Sequence, residues 1–172
     1  AMTLADRICV LQAGHKMQYD TPEAVYNRPA AVFVAGFTGA PPMNLVPCTV
    51  AGGVAQVGAA RVALPPGLAR LDGEHVLGVR PENLTLAARS AADVTLAAVL
   101  SLVEPLGAET LITVRIGDAE LIARVAAGYA AAPGSPLNMH LDPRHLHLFD
   151  RQGGQDLGRM AGVADDVRAP AA

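Results

Sequence analysis

The sequence is poor in aromatic residues, which make up 3% of its 172 residues, and it contains no tryptophan. A groove that binds single-stranded nucleic acid needs stacking aromatic side chains and a positive field. Three Tyr and three Phe, with a formal net charge of −3, supply neither. We therefore expect no nucleic-acid partner.

Cysteine is also scarce, and there is no long apolar run. Cys9 and Cys48 lie outside any Cys-x-x-Cys pair, so they predict two free thiols in a reducing compartment and neither a zinc knuckle nor a disulfide framework. No run of about 18 apolar residues and no basic-then-apolar N-terminus is present. We expect a cytoplasmic protein.

The chain has one lysine, Lys16, between His15 and Met17. A nucleotide-binding P-loop needs G-x-x-x-x-G-K-[ST], whose lysine contacts the β- and γ-phosphates. Lys16 is not in such a loop, and Gly134-Ser135-Pro136 does not match the G-x-S-x-G turn of serine hydrolases. The sequence thus predicts no catalytic and no cofactor-binding residue.

The sequence contains enough apolar residues to build one hydrophobic core, because hydrophobic residues make up 51% of it. The first part predicts a β-hairpin, with strands at 7–13 and 16–19 around a Gly14-His15 turn. Thr21-Pro22-Glu23 then marks a helix start, since Thr caps free N–H groups and Pro suits the first helical position. Pro29 should end this helix near Arg28.

A second short helix is predicted at 30–37 by the helical spacing of Phe33, Val34 and Phe37. Gly39, Pro41 and Pro42 then form a stiff joint. We place a first unit at 1–40, a linker at 41–45, a barrel at 46–150 and a disordered tail at 151–172, where no hydrophobic period is found.

Short strands separated by glycine turns follow the joint, a pattern typical of a β-sandwich or barrel. The longest is 93–103, and Gly117-Asp118 is the strongest hairpin signal. The fold class is therefore mainly β. The predicted strands are 45–51, 54–57, 61–64, 75–80, 93–103, 109–116, 119–125, 136–141 and 146–149.

Two groups of titratable residues are candidates for a metal site or a pair of catalytic carboxylates. His140, His145 and His147 lack acidic or cysteine ligands at metal-binding spacing, so they predict no metal site, although His145 and His147 are expected to share a strand face. Glu104 and Glu109 flank a turn and could converge, but strand-end carboxylates are usually solvated or salt-bridged. A structural role is the expectation.

Motifs in a fixed order resemble the ATP-binding subunits of carbohydrate-uptake ABC importers, the maltose and glycerol-3-phosphate type. The run from Ala1 to Ile8 is similar to the segment after that family's switch histidine. Gly78-Val79-Arg80-Pro81-Glu82 resembles its G-[IV]-R-P-E element, and the run from Val103 to Thr110 resembles its V-E-x-L-G strand-turn-strand. The likeness covers residues 1 to about 150.

This resemblance implies an oligonucleotide-binding-like barrel, the transport-associated OB (TOBE) domain, beside the end of an ATPase domain. It implies a homodimer formed partly through the barrels, permease subunits reached through the ATPase core at the inner face of the membrane, and in some members an inhibitory partner. ATP and magnesium would belong to the parent ATPase, whose catalytic motifs would lie before residue 1. A free-standing barrel starting at Met2 is the other interpretation.

The leading hypothesis is a regulatory and dimerising module that is not an enzyme by itself. Arg80 and Glu82 are expected at the barrel rim in an interface role, since Pro81 stops the strand there, or else as a local charge pair worth about 1 kcal/mol or less. The alternative is a barrel that senses a solute or an oxyanion, with Arg80, Arg115 and Arg124 as ligands. The candidate interface or regulatory residues are Arg80, Pro81, Glu82, Glu104, Gly107 and Glu109.

Overall fold

The computed structural model describes residues 5–152 and 154–159. That part of the chain is mainly β, as the sequence predicts, and none of its helices is long and apolar enough to cross a membrane. The strands are β1 (Ile8–Gln12), β2 (His15–Asp20), β3 (Asn44–Ala51), β4 (Val54–Val57), β5 (Ala60–Ala63), β6 (Gly73–Val79), β7 (Val94–Pro105), β8 (Glu109–Ile116), β9 (Ala119–Ala126), β10 (Pro136–Leu141), β11 (His147–Asp150) and β12 (Asp156–Arg159). The helices are α1 (Pro22–Asn27) and α2 (Val32–Phe37), with 3-10 turns at Pro81–Asn83 and Pro143–His145.

The N-terminal segment, residues 5–43, contains the hairpin β1–β2 and both helices. The turn lies at Ala13-Gly14 and not at the predicted Gly14-His15, because Ala13 (φ 50°) and Gly14 (φ 82°) adopt the positive angles that a two-residue hairpin needs. His15 therefore pairs with Gln12.

Helix α1 begins as the sequence predicts. The Thr21 hydroxyl accepts a hydrogen bond from the amide of Ala24, with Pro22 in the first turn. Helix α2 begins at Val32, two residues later than predicted. Its N-cap residue is Ala31, which has no side chain able to cap a helix.

Two antiparallel sheets form the barrel. One has the strand order β12-β11-β6-β3-β4-β5 and the other β10-β7-β8-β9. Their inner faces share one apolar core, built from residues such as Val50, Leu100, Ile112 and Leu148. Strand β7 is the longest, as predicted, and a register shift between Leu100 and Leu102 bends it.

The outer face of the six-stranded sheet packs against α2. Ala35 of α2, Met43 and Phe149 form a separate buried cluster there. Gly78 of β6 makes this contact possible, because a Cβ atom on it would lie 2.5 Å from Met43 Sδ and 2.8 Å from Phe149 Cε2. The glycine of the G-V-R-P-E run is thus needed for close packing.

The predicted disordered tail is wrong for Asp156–Arg159, which forms β12 and pairs with β11. Strand β12 lies at the sheet edge and is held by backbone hydrogen bonds, so it needs none of the apolar alternation on which the prediction depended. Gly153 and residues 160–172 lie outside the described residues. The predicted domain boundaries at 40 and 45 stay predictions.

Candidate functional site

The most unusual side chain at the junction between the N-terminal segment and the barrel is Arg80, at the end of β6. It is only 3% exposed. Its Nη1 donates to the carbonyl of Thr38 at 2.5 Å and, more weakly, to that of Ala35 at 3.4 Å. Its Nη2 donates to the carbonyl of Tyr26 at 2.5 Å and to the Thr38 hydroxyl at 3.2 Å. One guanidinium group therefore binds the C-terminal ends of both helices.

Helix ends explain why a cation lies here. The last carbonyls of a helix lack partners within it and carry partial negative charge, so a donor cation is favoured there. Burial lowers the pKa of Arg80, whereas Tyr26 and Glu82 raise it. Arginine stays charged in proteins. At the junction its guanidinium group donates hydrogen bonds to four oxygen atoms.

Tyr26 and Glu82 complete the cluster. The guanidinium carbon of Arg80 lies 3.9 Å from the centre of the Tyr26 ring, which is cation–π geometry. The Tyr26 hydroxyl donates to Glu82 Oε1 at 2.6 Å. Burial raises the pKa of Tyr26 to about 12, and the hydrogen bond to Glu82 and the charge of Glu82 act in the same direction.

Gly39 makes room for this cluster. A Cβ atom on Gly39 would lie 2.9 Å from the carbonyl oxygen of Pro41, 3.2 Å from Arg80 Nη1 and 3.3 Å from Tyr26 Cε2. Its φ is +104°, which residues with a side chain rarely adopt. Glycine is therefore required where the chain passes from α2 to the barrel.

Asn44 and Arg124 make a second set of contacts nearby. The Asn44 side chain accepts from the amide of Ile122 at 2.7 Å and donates to its carbonyl at 2.8 Å, which joins β3 to the free edge of β9. Arg124 donates to the carbonyl of Ala40 at 2.6 Å, and its Nε lies 3.4 Å from Glu109 Oε2. The joint is thus fixed to both sheets.

Comparison with known proteins finds two family models that match the barrel. The model of the TOBE domain matches residues 77–149, and the model of the MalK OB fold domain matches residues 39–84. The barrel belongs to the MalK OB and TOBE domain families. We refer to it below as the TOBE barrel.

Relatives extend the likeness to the N-terminal segment. The chain is 45% identical over 159 residues to the sn-glycerol-3-phosphate import ATP-binding protein UgpC of Chromohalobacter salexigens, an alignment that covers 90% of the chain and 43% of that protein. It is 41% identical over 158 residues to the sulfoquinovosyl glycerol transport ATP-binding protein SmoE of Agrobacterium fabrum, covering 87% and 43%. The chain spans less than half the length of these relatives, and it is consistent with the C-terminal part of a sugar ABC importer ATPase.

The fold also occurs among solved structures. The cytoplasmic molybdate-binding protein ModG, crystallised with molybdate, superimposes with a TM-score of 0.51 and 17% identity, over 61% of this chain and 94% of that one. At this identity the likeness shows the fold alone.

The predicted interface residues of the TOBE barrel fall into two groups. Arg80, the buried Pro81 and the half-buried Glu82 meet at the junction, and Glu109 approaches it through Arg124. Glu104 and Gly107 lie exposed on the β7–β8 hairpin. Arg80 lies at the end of β6 but is buried, because the helix carbonyls of the N-terminal segment cover it. Arg80 and Glu82 form no direct ion pair: Glu82 accepts from Tyr26, although its charge still raises the pKa of Arg80.

Three residues of the junction were missed as functional residues: Tyr26, Thr38 and Asn44. Tyr26 and Asn44 each contact a partner more than 50 positions away. Sequence spacing holds no signal for such contacts. The only sequence signal for the junction is that Arg80 stands next to Pro81, which ends the strand.

The three arginines expected to bind a solute or an oxyanion do not converge in the TOBE barrel. Arg80 is occupied by helix carbonyls, Arg115 is exposed on β8 opposite Glu120, and Arg124 is paired with Glu109. One cavity between the two sheets has a volume of about 30 Å³, room for one or two water molecules. Its lining is apolar and consists of Val46, Val57, Ala60, Val62, Leu77, Val79, Leu96, Ile116, Leu121 and Leu141.

The histidines are also separated. His145 lies in a 3-10 turn, so it does not share a strand face with His147 as expected. His147 is buried with its Nδ1 3.7 Å from Asp156 Oδ2, and His140 Nδ1 lies 3.1 Å from the Thr95 hydroxyl. Within residues 5–152 and 154–159, no group of three or more His, Cys, Asp or Glu side chains could hold a metal ion.

Proposed function

We propose that this chain is the regulatory and dimerising part of the ATP-binding subunit of an ABC importer for sugars or glycerol-3-phosphate. By itself it does not hydrolyse ATP. The observation that carries the proposal is the Arg80 junction, which fastens a TOBE barrel to a segment that resembles the end of an ATPase domain. The import ATP-binding relatives, similar over about nine-tenths of the chain, support the same role.

The junction suggests how such a module would work. A buried cation bonded to two helix ends costs several kcal/mol to remove, so barrel and segment should move as one body. When the two ATPase halves open and close, the barrels would follow through Arg80. An inhibitory partner bound to a barrel could then act on the ATPase without touching the nucleotide.

An exposed apolar face on the N-terminal segment supports contact with an ATPase core. Phe37 is 70% exposed, and its ring stacks on that of Phe33 with centroids 5.9 Å apart. Exposed aromatic side chains of this size favour a covered interface. That core would bind ATP and magnesium and would contact the membrane permease subunits at the cytoplasmic face of the membrane.

The β7–β8 hairpin is the proposed contact with a second copy of the subunit. Leu102 is 47% and Leu106 57% exposed there, beside the exposed Glu104 and Gly107. Apolar side chains on a two-stranded projection lose water when a partner covers them. This hairpin is the surface through which two barrels would meet.

Sedimentation velocity of the chain tests the dimer. We expect a concentration-dependent dimer that Leu106→Asp weakens at least about tenfold, because a carboxylate cannot be buried unpaired at low cost. Leu11→Asp is the matched control, since Leu11 is also 57% exposed but lies on β1. A monomer at all concentrations, or equal effects of the two variants, would reject dimerisation through this hairpin.

Calorimetry with ATP and magnesium tests the second half of the proposal. We expect no heat of binding to this chain. Tight, magnesium-dependent binding would show that a nucleotide site exists in it, and the non-catalytic assignment would then fail.

An oxyanion-sensing barrel is the second candidate; the molybdate-binding protein ModG has the same fold. The small apolar cavity and the occupied arginines give it less support than the regulatory role. Titration with molybdate and with glycerol-3-phosphate separates the two. Saturable binding that Arg115→Ala or Arg124→Ala abolishes would favour the sensor.

A further inference from the structure

We propose that helix α2 is folded only while the TOBE barrel holds both of its ends, and that residues 154–159, here called the C-terminal strap, act as the releasable end. Helix α2 has six residues. Isolated helices shorter than about 12 residues are marginal in water. The helix must therefore be stabilised by groups outside itself.

The N-terminal end of α2 has no cap of its own. Ala31 is the N-cap residue and makes no side-chain hydrogen bond to the first turn. The first amides of a helix need such an acceptor, and replacing a capping residue by alanine typically costs about 1 kcal/mol. In this sequence the cap must come from elsewhere in the chain.

The strap supplies it. The carbonyl of Gly154 accepts from the amide of Val32, the first residue of α2, at 2.7 Å. The amide of Asp156 donates to the carbonyl of Ala30 at 3.0 Å, and Ala31 forms a β-bridge with Gln155. The strap thus forms a short antiparallel pairing with the residues before α2, and its Gly154 carbonyl caps the first turn of the helix.

The strap is itself bound to the barrel edge. Strand β12 pairs with β11, and the amide of Asp150 donates to the carbonyl of Gln155 at 2.8 Å. Gly154 has φ +63°, so glycine allows the turn that brings its carbonyl to Val32. One short segment therefore joins the sheet edge to the helix start.

Arg80 holds the other end, through the carbonyls of Ala35 and Thr38. The two caps come from residues 45 and 122 positions away from their partners in α2 (Arg80 to Ala35; Gly154 to Val32). Arg80 is buried, whereas the strap lies at a sheet edge, where β12 is bound to β11 by backbone pairing and by the 3.7 Å contact between Asp156 Oδ2 and His147 Nδ1. Release of the strap is hence the easier way to unfold α2.

The inference concerns the chain itself and does not depend on the proposed transport role. If both hold, strap release would unfold the helix that carries Phe33 and Phe37. It would thereby loosen the barrel from the ATPase core.

Amide hydrogen exchange of two shortened chains tests the proposal. Removing residues 153–172 deletes the strap, and removing residues 160–172 is the matched control that leaves it. The reporters are the amides of Ala35 and Thr38, which donate to the carbonyls of Ala31 at 3.0 Å and Val34 at 3.1 Å. We expect exchange of both to rise at least about fivefold only in the chain without the strap.

The amides of β8, a central barrel strand, show whether the barrel stays folded. Equal protection of Ala35 and Thr38 in the two shortened chains would overturn the proposal. A rise in exchange throughout β8 would also overturn it, because the strap would then support the whole barrel and not α2.

A second pair of variants isolates the cap itself. Val32→Pro removes the amide that bonds Gly154, yet proline fits the first helical position and Ala31 has the extended backbone that precedes proline. Val32→Ala removes the side chain and keeps the amide. We expect faster exchange at Ala35 in the proline variant than in the alanine variant, and the reverse order would contradict the role of Gly154.

Discussion

The guanidinium group of Arg80 stacks 3.9 Å above the ring of Tyr26 and also donates to the Tyr26 carbonyl. The same side chain thus recognises both the face and the backbone of one residue 54 positions earlier. This relationship fixes how the barrel sits on the helices.

Replacing Arg80 by alanine should lower the free energy of unfolding by about 3 kcal/mol, because the helix carbonyls of Tyr26 and Thr38 would lose their charged donor. Arg80→Lys should lose less, since it keeps the charge but not the planar fork. Urea unfolding measures both. Arg115→Ala, exposed on β8, is the control and should change stability by no more than about 0.5 kcal/mol; an Arg80→Ala loss of that size would refute the junction.

The Tyr26 phenol should make stability fall at alkaline pH. Its pKa is about 12 in the folded chain against an ordinary value of 10.0, so between pH 10 and 12 the unfolded chain loses this proton first and binds fewer protons. The stabilisation is therefore complete below pH 10 and is lost as pH rises to 12. Partial exposure of Tyr26 to solvent limits the loss to about 1 kcal/mol.

Tyr26→Phe should remove this part of the alkaline slope, measured by urea unfolding at pH 9 to 12. Tyr19→Phe, on the exposed side of β2, should leave the slope unchanged. Identical slopes for wild type and Tyr26→Phe would show that burial and the hydrogen bond to Glu82 do not raise the pKa of Tyr26.

Gly78→Ala should destabilise the chain by about 1 to 3 kcal/mol, because the added methyl would overlap Met43 and Phe149. Gly67→Ala is a matched control: neither glycine has a positive φ, and a Cβ atom on Gly67 would meet nothing within 4 Å. Thermal unfolding compares the two. Equal melting temperatures would mean that Met43 moves aside at no cost.

The two cysteines should differ in reactivity. Cys9 is exposed and Cys48 is buried in the barrel core, and burial raises the pKa of Cys48 to about 11, which leaves little thiolate to react at pH 8. A chromogenic thiol reagent should find one thiol in the folded chain and two in urea. Rapid reaction of both thiols before unfolding would show that the barrel opens around Cys48.

Local signals made most of the strands and α1 predictable. Thr21-Pro22 fixes a helix start within three residues, and Gly117-Asp118 fixes a hairpin whose register runs from Ile116–Ala119 to Glu109–Ala126. Such features depend on neighbours in sequence. The fold class followed from them together with the order of motifs that resemble the importer ATPases.

The junction was harder to predict because its partners are remote. An arginine before a proline at a strand end looks exposed unless Tyr26 and Thr38 are known to lie above it. The strap escaped prediction for a related reason, since its bonds are backbone bonds and any residue type can make them. The alternation of apolar and polar side chains predicts which apolar residues are buried. The junction and the strap do not depend on the burial of apolar groups.

Asn44 has one more consequence. A barrel made of two sheets leaves strand edges whose free N–H and C=O groups invite pairing with strands of other molecules. At Ile122 the side-chain amide of Asn44 already occupies both groups. A single polar side chain thereby removes one N–H and one C=O group of β9 from edge-to-edge pairing, where an aspartate would offer an acceptor but no donor.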